Sequence, residues 1–137
     1  MEITYYQFKK LGDGRGNLTA IEGDEDIPFA INRVYYIYDT REDIERGFHA
    51  HKSLEQIVLC IHGSVRFTLD DGVERQDVVL DTPNKGIYLS NVIWREMRDF
   101  SDDAILLVLA SEHYDESDYI RNYDEFLRFV NSPKVVK

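Results

Sequence analysis

The chain is predicted to fold as an all-β barrel or sandwich, on three observations. Segments rich in β-branched and aromatic residues recur about every eight to twelve positions, turn-forming residues stand between them, and no helical crossover interrupts the series. Of its 137 residues, 43% are hydrophobic and 12% aromatic, mostly Tyr and Phe. That is enough for one domain with its own core and too short for two ordinary ones, so residues 1–137 are read as one unit.

Residues 3–9 read as a first strand, Asp13-Gly14-Arg15-Gly16 as a turn, and residues 17–22 as a second strand. After an acidic loop containing Pro28, residues 33–38 (Arg-Val-Tyr-Tyr-Ile-Tyr) form the most strand-prone segment. Alternation puts Arg33, Tyr35 and Ile37 on one face and Val34, Tyr36 and Tyr38 on the other. Tyr36 is expected to fill core.

Residues 46–51 and the apolar run 56–61 follow, the second punctuated by Gly63. Residues 64–70 and 73–80 flank Asp71-Gly72, which matches a two-residue hairpin turn. Beyond a turn at Pro83, residues 86–90, 93–98 and 104–110 complete the barrel, which spans about 3–111. The period then changes. With Ser117 as N-cap, Tyr119, Ile120, Tyr123, Phe126, Leu127 and Val130 recur at helical spacing, predicting a helix over about 117–131 packed on the barrel.

Sixteen basic against twenty-six acidic side chains give a formal charge of -10, which repels nucleic acid. A small phosphorylated metabolite stays open, because converging arginines outweigh distant charges that salt screens beyond roughly 8 Å. Cys60 lies in the apolar run 56–61 and is expected to fill core volume. Neither a leader nor a run of some twenty apolar residues occurs, so no membrane span is expected and a reducing cytoplasm fits best.

In Gly47-Phe48-His49-Ala50-His51, strand geometry aims both imidazoles at one side of a sheet. With pKa values near 6.5, two such groups can exchange protons or share a metal ion, or they are two surface histidines. His49, His51, Glu55 and Gly63 together resemble the first motif of cupins, which implies a cupin-type jelly-roll β-barrel with these side chains in its mouth. Arg95 stands where metal-binding cupins have a further histidine. It carries a permanent positive charge and no lone pair for coordination, so no metal is expected, even though His62 or His113 could supply further ligands.

Longer stretches are more specific. Arg33-Val34-Tyr35-Tyr36, Arg46 to Lys52, Val92-Ile93-Trp94-Arg95-Glu96-Met97 and the segment from Leu109 through Glu112-His113-Tyr114-Asp115-Glu116 to Tyr123 resemble the dTDP-4-keto-6-deoxyglucose 3,4-ketoisomerases. These are metal-independent cupins of unusual-sugar biosynthesis. The resemblance covers about residues 5–128 and implies a dTDP-linked 4-keto-6-deoxyhexose as substrate, no cofactor, and a homodimer, with an N-terminal strand exchanged between subunits as one form of it.

By this resemblance His49 is the base that removes the C3 proton, and His51 moves protons to or between the oxygens. Arg95 binds the enediolate or sugar hydroxyls, or else makes a structural ion pair with Glu96 or an aspartate. Tyr35 is a further catalytic or ligand-binding candidate. Arg46 and Arg33, then Arg15, are candidates for the pyrophosphate, with Lys52 and Arg66 behind them; each could instead offset the acidic surface. Glu55 is expected to orient an imidazole by accepting its second N–H. The rival readings are a sugar-nucleotide epimerase, a metal-dependent cupin oxygenase and a non-catalytic sugar-binding cupin.

Overall fold

A computed structural model describes residues 1–90 and 92–132. Asn91 and the end of the 1–137 domain lie outside the described residues. Twelve strands and one helix are assigned: β1 (Thr4–Gln7), β2 (Leu11–Asp13), β3 (Gly16–Leu18), β4 (Arg33–Ile37), β5 (Arg46–His51), β6 (Gln56–His62), β7 (Val65–Asp70), β8 (Arg75–Leu80), β9 (Lys85–Leu89), β10 (Trp94–Arg98), β11 (Ile105–Ala110), β12 (Tyr119–Ile120) and α1 (Tyr123–Asn131). One sheet has the order β1-β9-β6-β11-β4 and a second β12-β5-β10-β7-β8, while β2 and β3 form a separate hairpin. The two five-stranded antiparallel sheets make the jelly-roll barrel expected of a cupin.

The main core lies between the sheets, where Val58, Cys60, Phe67, Leu69, Ile87 and Leu106 pack together. Cys60 fills core volume there as a free thiol. The run in β6 is apolar on both faces because both are covered. Val58 and Cys60 join the inner core, whereas Ile57 and Leu59 pack outward against Phe8, Ile27 and Phe29.

Four local expectations change. The turn after β7 has four residues, since Asp70 pairs with Arg75, and the Asp71 carboxylate accepts from the backbone N–H groups of Val73 and Glu74. The two-residue hairpin turn is instead Gly14-Arg15, because Asp13 pairs with Gly16. The strand expected over 17–22 ends at Leu18. Tyr36 is 60% exposed, lying on the outer face of the edge strand β4 beside Tyr38.

The helix also begins later than Ser117. Glu116–Asp118 is one 3-10 turn capped by Asp115, Tyr119 and Ile120 pair with β5, and the cap of α1 is Asn122, whose side chain accepts from the Glu125 N–H at 3.0 Å. Sheet pairing satisfies the backbone of Tyr119 and Ile120, so the helix starts once that pairing ends. From Tyr123 onward the apolar stripe packs as expected. Phe126 is fully buried against Trp94 and Tyr123 on the outer face of the second sheet. Phe126→Ala should cost roughly 3–5 kcal/mol in urea unfolding.

Candidate active site

The histidine strand β5 is held between β10 and the short β12. His49 lies directly across from Arg95, while Gly47 lies across from the next residue, Glu96, so Phe48 is the extra residue of a β-bulge. Phe48 has φ 59° and Gly47 φ 89°. A Cβ on Gly47 would sit 3.0 Å from the Arg95 carbonyl oxygen, which explains glycine at this position. Positive φ on an aromatic residue is a strained conformation, here placed beside the paired histidines.

Beyond the bulge, alternation sends His49 and His51 inward and Ala50 outward to the helix. The imidazole rings meet edge to face at 5.0 Å. Tyr119 packs on both, at 5.1 Å from His49 and 4.3 Å from His51. Arg95, Met97, Tyr35, Gln56 and His49 line the same interior.

Arg95 is 2% exposed. One of its terminal nitrogens donates to the Gln56 carbonyl and the other to the Ile93 carbonyl at 2.9 Å, and Gln56 donates in turn to the Tyr35 hydroxyl at 2.9 Å. The ion-pair alternative with Glu96 fails, because Glu96 serves Trp94, Arg75 and Arg98 on the other side of the strand. Burial lowers the Arg95 pKa to about 10, so the guanidinium stays charged at neutral pH. Burial likewise raises the Tyr35 phenol above its ordinary value.

Both imidazoles are held neutral. Burial first and the Arg95 charge second depress His49 to about 3 and His51 to about 2. The unfolded chain therefore takes up protons near pH 6.5 that the folded site refuses. The resulting stability is fully present above about pH 6.5 and is lost as pH falls toward the folded values, by up to about 1.4 kcal/mol per pH unit for each histidine. Urea unfolding at pH 7, 6 and 5 should show this slope. His49→Asn should make it shallower, leaving the share that belongs to His51.

The histidines have a partner that the sequence reading did not single out. His51 Nδ1 lies 3.2 Å from Asp118 Oδ2. The same carboxylate accepts from Ser53 N–H at 2.9 Å, Ser53 Oγ at 2.8 Å and Leu54 N–H at 3.3 Å. Glu55 does not orient an imidazole: its carboxylate is taken by the Tyr88 hydroxyl. Tyr88 packs with the cluster on the outside of the first sheet.

A cationic and aromatic rim surrounds this interior. The Arg33 guanidinium lies 4.5 Å from the Tyr35 ring and 5.2 Å from Tyr114, and Arg121 lies 4.3 Å over Tyr119 while pairing with Glu116. Gln56, Tyr114, Glu116, Asp118 and Arg121 received no role from the sequence, and Tyr119 was read only as part of a helical stripe packed on the barrel. The specificity of the segment from Tyr114 to Arg121 was the available signal.

The other candidates sit apart or at the edge. Arg46 is exposed at the start of β5, and Lys52 is exposed just after it, its backbone N–H donating to the Asp118 carbonyl at 2.9 Å. Arg66 pairs with Asp99 at 3.0 Å, three positions along β7 from the residue opposite Arg95. Arg15, with a 90% exposed side chain, tips the β2–β3 hairpin and pairs with Asp13. His62 lies against Asp103 at the end of β6 and does not join His49 and His51; His113 is exposed.

A jelly-roll barrel whose interior holds two neutral imidazoles beside a buried guanidinium is a cupin equipped for proton transfer. The family model "FdtA: WxcM-like, C-terminal" matches residues 1–131, and the chain belongs to that family. It is 52% identical over 130 residues to the TDP-4-oxo-6-deoxy-alpha-D-glucose-3,4-oxoisomerase of Aneurinibacillus thermoaerophilus, covering 95% of this chain and 94% of that one. A 3,4-ketoisomerase from Helicobacter canadensis superposes with a TM-score of 0.93 at 49% identity, covering 96% and 99% of the two chains. An asparagine mutant of the 3,4-ketoisomerase QdtA from Thermoanaerobacterium thermosaccharolyticum, in complex with TDP-4-keto-6-deoxyglucose, superposes with a TM-score of 0.92 at 47% identity, covering 93% of each chain.

Proposed function

We propose that this chain is a sugar-nucleotide 3,4-ketoisomerase that converts dTDP-4-keto-6-deoxyglucose to a dTDP-3-keto-6-deoxyhexose. The observation that carries the reading is the edge-to-face pair of inward, neutral imidazoles beside Arg95, in a chain 52% identical to a TDP-sugar 3,4-oxoisomerase. A 3,4-shift needs proton transfer and no net oxidation. His49 takes the proton from C3, which the neighbouring ketone acidifies, while O4 receives a proton, giving the enediol. A proton then arrives at C4 as O3 loses its own, leaving the ketone at C3.

His51 handles the oxygen protons in this scheme, and Arg95 stabilises the negative charge that develops on the enediolate. Tyr35, linked to Arg95 through Gln56, is a polar ligand for the sugar. Arg33, with Arg46 and Lys52 at the edge, answers the pyrophosphate. The reaction calls on no cofactor. A buried free thiol at Cys60 suits a reducing cytoplasm, and among the described residues no helix is long and apolar enough to cross a membrane.

Incubation with dTDP-4-keto-6-deoxyglucose in deuterated buffer tests the reading. The expected NMR result is a 3-keto sugar with deuterium at C4. Deuterium at C5 with the ketone still at C4 would point to the epimerase instead. No product at substantial enzyme concentration would defeat both.

The working unit is a homodimer in which the N-terminal hairpin reaches a second copy. Leu11 and Leu18 on that hairpin are 55% and 58% exposed, and Val34 and Tyr36 on edge strand β4, with Tyr38 just beyond it, leave an apolar strip. Burying these surfaces in a two-fold assembly is the economical arrangement. Leu11→Asp/Leu18→Asp should shift the mass measured by light scattering from dimer to monomer. An unchanged dimer would exclude the hairpin from the interface.

A further inference from the structure

We infer that Asp118 is a positioning residue that holds His51 as the Nδ1–H tautomer and presents its Nε2 lone pair to the substrate. Its place in catalysis rests on the ketoisomerase reading; the tautomer itself does not. Asp118 Oδ2 lies 3.2 Å from His51 Nδ1. His51 is fully buried, and its Nε2 has no hydrogen-bond partner among the described residues. A neutral imidazole donates from one nitrogen and accepts at the other. A carboxylate only accepts, so the proton belongs on Nδ1 and the lone pair on Nε2, across the ring and on the inner side of the strand shared with His49 and Arg95.

The carboxylate is itself immobilised. Its Oδ1 accepts from the Ser53 N–H and hydroxyl, and its Oδ2 from the Leu54 N–H as well as from His51. The backbone of the same residue accepts from the Lys52 N–H, and the next residue, Tyr119, pairs with His51 and packs on its ring at 4.3 Å. One short segment thus fixes the ring's rotation, its tautomer and its stacking face. An imidazole that passes protons between two sugar oxygens needs such a defined lone pair, because the two nitrogens are not interchangeable within a fixed ring.

A purely structural alternative is that Asp118 only latches the C-terminal segment onto the end of β5. Asp118→Asn separates the two. Asparagine keeps an acceptor for Ser53 but turns an amide N–H2 toward His51, which moves the imidazole proton to Nε2. Ser53→Ala removes a latch bond and leaves the His51 contact.

The test combines nitrogen-15 NMR of the histidine rings at pH 7, assigned with His51→Asn, with steady-state kinetics. The expected result is an Nδ1–H tautomer for His51 in the unmodified protein and an Nε2–H tautomer in D118N. D118N should lose about 10²-fold in kcat, with KM changed less than about 3-fold, and S53A should lose less than about 3-fold in kcat. An Nε2–H tautomer in the unmodified protein overturns the inference whatever the enzyme's reaction. So does a D118N variant that keeps its kcat, or an S53A variant that loses as much as D118N. Absence of isomerase activity in the unmodified protein would defeat the functional reading and leave the tautomer result to decide the structural one.

Discussion

His49→Asn is expected to lower kcat by roughly 10²–10⁴-fold, the usual range for a general base, while leaving binding of the nucleotide sugar within a few fold. The amide occupies nearly the same volume but has no basic nitrogen. His49 is an inward neutral imidazole opposite Arg95, so in the proposed scheme its loss removes the acceptor for the C3 proton and leaves the Arg33–Tyr35 contact in place. Deuterium incorporation from solvent should fall by the same factor as turnover. A variant that exchanges the C3 proton at the normal rate would show that another group is the base.

Arg95→Met should lower kcat by about 10²–10³-fold, the scale seen when one group stabilising a developing oxyanion is removed. The fold should tolerate it. Arg95 is buried with no carboxylate bonded to it among the described residues, so methionine of similar length removes a desolvated charge while losing two hydrogen bonds, those to Gln56 and Ile93. The pH dependence should move in a defined direction. The Arg95 charge depresses both histidines, so without it their pKa values rise and the acid limb of kcat/KM shifts to higher pH. Thermal unfolding and a pH–rate profile of the variant check both points. Full activity in R95M would sink the assigned role.

Much of the fold was legible in the residue order because strands and their coverings leave periodic marks. The alternation in residues 33–38 put Arg33, Tyr35 and Ile37 on one face, and Tyr35 and Ile37 do pack on the main core. Which face turned inward was not legible, since Tyr36 on the other face was expected in the core and is exposed. The runs in β6 and β11 were apolar on successive residues, and both faces of each are covered. The misplaced helix start and the four-residue turn share another cause. Ser117 and Asp71-Gly72 each have a side chain or backbone suited to the expected motif, but the surrounding pairings override local preference: β12 on β5 in one case, Asp70 with Arg75 in the other.

The candidate site divides in the same way. By itself the sequence determined that His49 and His51 share a strand face, that an arginine stands where a third histidine would serve a metal, and that long segments match one ketoisomerase family. These are properties of spacing and residue chemistry. Only the tertiary structure decided that Glu55 turns outward to Tyr88 while Asp118, 67 positions after His51, takes the imidazole nitrogen. It also decided that Arg95 answers to Gln56 and not to Glu96, and that Arg15 and Arg66 pair with acidic groups outside the histidine pocket. Long-range partners depend on which strand ends meet. In this chain the β5–β12 pairing and the bulge at Phe48 set those meetings, and neither leaves a periodic signal in the residues that make it.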